Sequence, residues 1–184
     1  MSGKLKFQRD KVEKLIDITS FNEEQKGNLK AFLEEMDYYN KPAAIKYHHN
    51  YIGGLAEHSL EVYEELKRQW KAHPKMGVTI HSVIVVSLLH DLCKTVDYVI
   101  GEDGEISYNP NGFETKGHAS RSISMLEDII PLSGLEKNAI LYHMGHWTSK
   151  YEKDCDFNKS IRGEEGLFIY LSHVADMISS IGGC

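Results

Sequence analysis

No apolar run in this chain approaches the roughly 18 residues needed to span a membrane as a helix. Its first ten residues, M-S-G-K-L-K-F-Q-R-D, hold no apolar segment of the kind a secretion signal requires. A soluble, cytoplasmic protein without membrane partners is the expectation. Cysteine is scarce. Cys93, Cys155 and Cys184 are odd in number and form no C-x-x-C pair, which excludes a disulfide framework and a zinc finger. The four prolines, the absence of Gly/Ser-rich or single-sign charge runs and the lack of internal repeats leave no linker, so one domain over 1–184 is expected. Positive charge is also in short supply. A net charge of −6 without an arginine-rich run argues against a protein that coats long nucleic acid.

What is present is helical periodicity. The chain is 41% hydrophobic, enough for a core without staples, and the spacing predicts an all-α fold. Val12, Leu15 and Ile16 mark a helix over about 6–18, and Ser20 with Glu23 has the form of a capping box opening a second helix that runs to about Asp37. Residues 1–38 therefore read as scaffold, and 42–179 as the core that carries chemistry. Pro42 and Gly53-Gly54 bracket a Tyr/His-rich loop that can line a pocket. Helices follow from Leu55, after Thr79 and from Gly117-His118. Another opens at the capping box Ser133-x-x-Glu136, and the last is expected over about 164–181. Asp103-Gly104 predicts a short β-hairpin within 98–108, and Thr148 to Gly163 reads as a polar loop.

The organising stretch is V-I-V-V-S-L-L-H-D-L-C-K-T-V-D, residues 83–97. Val83, Val86 and His90 step by three and four, so the imidazole continues an apolar stripe and delivers the adjacent Asp91 with it. A buried His-Asp pair needs a partner, and a divalent cation that takes one nitrogen and one oxygen provides one. His58, His118, His143 and Asp176 lie on or beside apolar faces of other helices. Any one of them has an ordinary explanation as a core side chain hydrogen-bonded to a carbonyl. Together, inward-facing imidazoles and carboxylates from several helices are how a bundle assembles a metal site.

The segments G-G-L-A-E-H-S-L-E-V around His58, L-L-H-D-L-C-K around His90 and Asp91, and H-V-A-D-M ending in Asp176 resemble the ordered H…HD…D signature of the HD superfamily of metal-dependent phosphohydrolases. The closest likeness is to the HD domain of bacterial 3′ to 5′ exoribonucleases, whose P-A-A-x-x-x-H-H loop is similar to Pro42–His49 here. The resemblance implies that His58, His90, Asp91 and Asp176 hold one divalent ion (Mn²⁺, Fe²⁺, Co²⁺, Ni²⁺, Mg²⁺ or Zn²⁺). It further implies that Asp91 reaches toward a second ion at His118 and His143. Relatives with two ions carry two adjacent histidines where this chain has His143-Met144, so the second site is one imidazole short unless His146 completes it. Catalysis by Asp91 and Lys94 is implied, with water activated on the metal. Lys94, His49, Arg121 and Lys116 are the expected substrate contacts, Lys150 and Arg162 are further basic candidates, and Tyr47, Tyr51 and Trp147 are available for stacking on a base. The exoribonucleases' nucleic-acid-binding barrel has no counterpart, so the expected substrate is a nucleotide or short oligonucleotide. The competing expectations are a di-iron oxygenase of the same superfamily and a nucleotide-sensing domain without turnover.

Overall fold

The computed structural model describes residues 3–46, 48–110, 117–152, 154–163 and 165–182. The architecture is all-α with one short hairpin. Helix α1 (Gly3–Asp17) buries Val12 and Ile16, and α2 (Glu23–Glu35) buries Leu29 and Leu33. The cap of α2 differs from expectation. Phe21 drops into the core against the edge of His81, the Ser20 N–H faces His81 Nδ1, and Asn22 with Gln25 forms the capping box in place of Ser20 with Glu23. The same x-x spacing occurs twice in this stretch, and burial of Phe21 selects the later one.

Helix α3 (Gly54–Ala72) packs against α4 (Ile80–Leu89) and against the last helix, α10 (Gly166–Gly182). Every residue of α4 from Val83 to Leu89 is buried, as the unbroken apolar run demands of a helix with no solvent face. Burial leaves its last carbonyls to be satisfied by side chains. Tyr38 donates its hydroxyl to Leu88 O, and His90 donates through Nδ1 to Ser87 O. The chain then turns through 90–93 into the single-turn helix α5 (Lys94–Asp97) and the hairpin β1 (Tyr98–Ile100) and β2 (Ile106–Tyr108). The strands pair Tyr98 with Tyr108 and Ile100 with Ile106 around Asp103-Gly104, as the turn signal predicts.

Helix α6 (His118–Leu126) precedes α7 (Gly134–Leu141), whose Ser133/Glu136 capping box forms as expected. The segment expected to be a polar loop instead contains two one-turn helices, α8 (Thr148–Tyr151) and α9 (Phe157–Ser160). Asp156 caps α9 by accepting from Lys159 N, and buried Phe157 anchors it. Helix α10 (Gly166–Gly182) closes the fold against α3 and α7. Close approach accounts for glycine at positions 54 and 145. A Cβ on Gly54 would lie 2.0 Å from His49 O, and one on Gly145, at φ +61°, would meet the His173 ring at 2.6 Å.

Glu136 is the capping residue with the most at stake. It is buried, its Oε2 accepts from Ser133 N at 2.8 Å, and its Oε1 accepts from Ser82 Oγ at 2.8 Å. Glu136→Ala removes the side-chain half of the capping box and orphans a part-buried hydroxyl, so an unfolding free energy lower by roughly 1–3 kcal/mol is expected in urea titration.

Candidate metal centre

Four side chains from three places in the chain converge: His58 from α3, His90 and Asp91 from the turn after α4, and Asp176 from α10. Each offers one donor atom, and these atoms lie within 4.8 Å of one another. His58 Nε2 is 3.1 Å from Asp176 Oδ1, 3.3 Å from His90 Nε2 and 3.5 Å from Asp91 Oδ2. His90 Nε2 is 3.4 Å from Asp91 Oδ2 and 3.6 Å from Asp176 Oδ1. With metal–ligand bonds of about 2.0–2.2 Å, neighbouring donors in a tetrahedral or octahedral shell lie about 2.8–3.6 Å apart. The spacing fits a cation.

The protonation pattern makes the same point more sharply. His90 Nδ1 faces Ser87 O at 3.0 Å, and a carbonyl only accepts, so Nδ1 carries a proton. His58 Nδ1 lies 3.0 Å from Ser179 Oγ, whose single hydrogen goes to Glu61 Oε2 at 2.8 Å; Nδ1 is again the donor. When neutral, both rings thus turn Nε2 lone pairs at each other across 3.3 Å, beside two carboxylates. Only a positive charge between them resolves that arrangement. In the metal-free protein a proton does so. Burial opposes a charged His90, but the charge of Asp91 and hydrogen bonds with Asp176 and Asp91 overcome it and lift its pKa to about 10. Burial likewise disfavours ionised Asp91 and Asp176. Lys94 and His90 reverse this for Asp91, and His58 and His90 for Asp176, so both fall well below the usual carboxylate range.

Lys94 Nζ sits on Asp91 Oδ2, and the Asp91 charge keeps this largely buried ammonium protonated against its desolvation. A carboxylate oxygen has two lone pairs, so Oδ2 can serve both a cation and Lys94. Asp91 Oδ1 points the other way, 3.5 Å from His143 Nε2, whose Nδ1 donates to Ile140 O at 2.7 Å. His118 lines the same cavity as this pair and has partners of its own. Its Nδ1 faces Asp97 Oδ2 at 3.1 Å and Cys93 Sγ at 3.8 Å, in a second cluster that can hold an ion. Arg121 is bound to the other oxygen of Asp97.

The centre opens into a cavity of about 520 Å³ whose lining includes Asp91, Lys94, His118, His143, His146, His173 and Asp176, with Trp147 exposed in its wall. Of the expected substrate contacts, Lys94 lines this cavity and Lys116 lies outside the described residues, as does Tyr47. Arg121 is engaged by Asp97. His49 is buried on the far side of His58 with Nε2 3.2 Å from Glu61, and its neighbour His48 lines the cavity instead. Burial, with Lys94 and His58 adding to it, pushes the His48 pKa down to about 4, so it is a neutral ring at pH 7. Lys150 and Arg162 are exposed and do not line the cavity. Asp97, Glu61 and Ser179 were not visible as site residues in the sequence, although Glu61 and Ser179 each follow a candidate ligand by three positions.

A larger open groove of about 740 Å³ between α1, α3 and α10 holds none of the four donors.

Seventy residues of the chain are 37% identical to the dihydroneopterin 2′,3′-cyclic phosphate phosphodiesterase of Methanocaldococcus jannaschii, a match covering 36% of this chain and 28% of that enzyme. The chain therefore spans less than two thirds of that relative. No protein-family model and no solved structure matches the chain.

Because a ligand imidazole must give up its proton, a cation entering at pH 7 has to displace the one that His90 carries in the metal-free protein. Affinity is expected to fall as pH is lowered. Calorimetric titration of Mn²⁺ in two buffers of different ionisation enthalpy should register about one proton released per ion at pH 7; no buffer dependence would contradict the charged His90.

Proposed function

We propose that this chain is a metal-dependent phosphohydrolase of the HD type that hydrolyses a phosphoester or phosphoanhydride bond in a nucleotide or short oligonucleotide. The observation that carries the reading is the four-donor centre at the floor of a cavity that also presents an ammonium. The partial relative supports phosphoester chemistry, and its name places 2′,3′-cyclic phosphodiesters among the first substrates to try.

In this reading His58, His90, Asp91 and Asp176 hold one divalent ion, and Asp91 Oδ1 with His143, joined by His118, provides a second, weaker position. The bound ion supplies Lewis acidity, lowering the pKa of water and neutralising a phosphoryl oxygen. Asp91 orients the centre through one oxygen and keeps Lys94 in place with the same atom. Lys94 is the cavity's fixed cation and compensates a phosphate oxygen beside the centre. Neutral His48 can hydrogen-bond the substrate without adding charge. Asp97 holds His118 through Nδ1, which leaves Nε2 as the nitrogen that ring can offer to a cation.

Asp91→Asn is expected to abolish release of phosphate or opening of a cyclic phosphodiester while the circular dichroism spectrum stays helical, because a ligand is lost and the apolar helix faces remain. Substitution of His58, His90 or Asp176 by alanine should do the same and reduce the metal retained on purification. His118→Ala and His143→Ala should retain more metal than His90→Ala, since they belong to the position with fewer donors. Wild-type turnover in Asp91→Asn would defeat the assignment.

Substrate size follows from charge. A protein gripping many phosphates loses orders of magnitude in affinity between about 50 and 200 mM salt. A chain of net charge −6 whose cavity holds Lys94 as its only Lys or Arg among the described residues is suited to one or two phosphates. Turnover of mononucleotides or cyclic nucleotides should change only modestly over that salt range. Salt-sensitive degradation of a long strand, with no activity on any nucleotide, would overturn this reading.

A further inference from the structure

His58 is held from both sides by α10. Its Nε2 meets Asp176 at 3.1 Å and its Nδ1 meets Ser179 at 3.0 Å, two residues one helical turn apart. Helix α3 repeats the arrangement, since Glu61 lies one turn after His58 and receives the Ser179 hydroxyl at 2.8 Å. The loop before α3 adds a third support. His49 Nε2 stands 3.2 Å from the same Glu61 oxygen, Oε2. The residues form one chain, from His49 and Ser179 onto Glu61 and from His58 onto Ser179, and it runs away from the cavity toward the open groove that Glu61 and Ser179 line.

The direction of these bonds is set by Glu61. An ionised carboxylate accepts and cannot donate, so the Ser179 hydroxyl must point at it, and the serine oxygen is left to accept. His58 then has one choice of tautomer. We propose that Glu61 and Ser179 are positioning residues that hold His58 in its Nδ1–H form and so aim its Nε2 lone pair at the four-donor centre. A glutamine at position 61 would lose this polarity: its amide can donate to Ser179, whose hydroxyl could then turn to His58 Nδ1 and drive the proton to Nε2, into the centre. Ser179→Ala would leave a buried Nδ1–H without an acceptor, and the ring would be free to change tautomer or swing.

The proposal rests on reading the centre as a cation site, and its test separates the two. In metal-free full-length protein labelled with ¹⁵N-histidine, the His58 ring should show a protonated Nδ1 in the wild type. That signature should be lost or mixed in Glu61→Gln and in Ser179→Ala, and kept in Ser179→Thr, which retains the hydroxyl. Mn²⁺ affinity, measured by competition with a chelator, should fall about 10- to 100-fold in the first two variants and be restored in the third. Wild-type ring shifts together with wild-type Mn²⁺ affinity in both Glu61→Gln and Ser179→Ala would overturn the proposal. A wild-type protein that binds no divalent ion would sink the proposed function instead, while the ring shifts would still decide the role of Glu61 and Ser179. Should Ser179→Ala fail to fold, Glu61→Gln carries the test, because the Glu61 side chain is 45% exposed and its carboxamide can be solvated.

Discussion

Two imidazole lone pairs facing each other across 3.3 Å, with two carboxylates beside them, are the constraint around which this protein is built. Burying a charge costs several kcal/mol after relaxation, and burying two anions with a single lysine leaves the site short of positive charge. A proton on His90 corrects the shortfall in the metal-free protein, and a cation would correct it with better geometry. Almost every nearby feature serves to keep the rings aimed inward while that correction is made. Ser87 O, Ile140 O and Ser179 each occupy an Nδ1. Two of these acceptors are carbonyls within the last three residues of α4 and α7, groups that a helix leaves without an intrahelical partner. The helix ends and the histidines thus solve each other's problem.

Much of this was legible in the sequence because it rests on local periodicity. Val83, Val86 and His90 share a stripe, and α4 is buried as its apolar run requires. The hairpin at Asp103-Gly104 and the cap at Ser133/Glu136 depend on residues no more than a few positions apart, and both form as read. Where two local patterns compete, spacing alone does not choose between them. Ser20/Glu23 and Asn22/Gln25 are equally good boxes, and the choice is made by Phe21 packing on His81, sixty residues away in the chain. The short helices α8 and α9 were hidden for a related reason: four polar residues make a turn of helix only when an anchor such as Phe157 finds its place in the core.

The site residues that escaped the sequence are those whose role depends on tertiary geometry. Of the adjacent pair His48-His49, the first lines the cavity and the second backs Glu61, because the loop passes so close to Gly54 that His49 O occupies the space a Cβ would need. Periodicity has no purchase on a loop. Asp97 reads only as the last residue of the stretch that carries His90 and Asp91, yet it gathers His118 and Arg121 from α6. Glu61 reads as a solvent-facing glutamate, and by exposure it nearly is one. The signal that finds it is its position one turn after His58, matched by Ser179 one turn after Asp176 on the facing helix.

The ring supports also differ in kind, a difference that would grade the histidines as ligands of the proposed metal centre. His90 and His143 donate Nδ1–H to neutral carbonyls, which orient a ring with little effect on its basicity. His118 faces the Asp97 carboxylate directly, and Arg121 holds the other Asp97 oxygen. His58 lies between these cases, its hydroxyl acceptor polarised by a carboxylate one bond further out. Rigid orientation therefore belongs to His90, anchored at the buried end of α4, while the supports behind His58 and His118 end on charged side chains. A metal centre of the proposed kind, in which one ring fixes the geometry and the others are held by charge outside the cavity, could be tuned without moving its core, with Glu61 and Arg121 as the tuning groups.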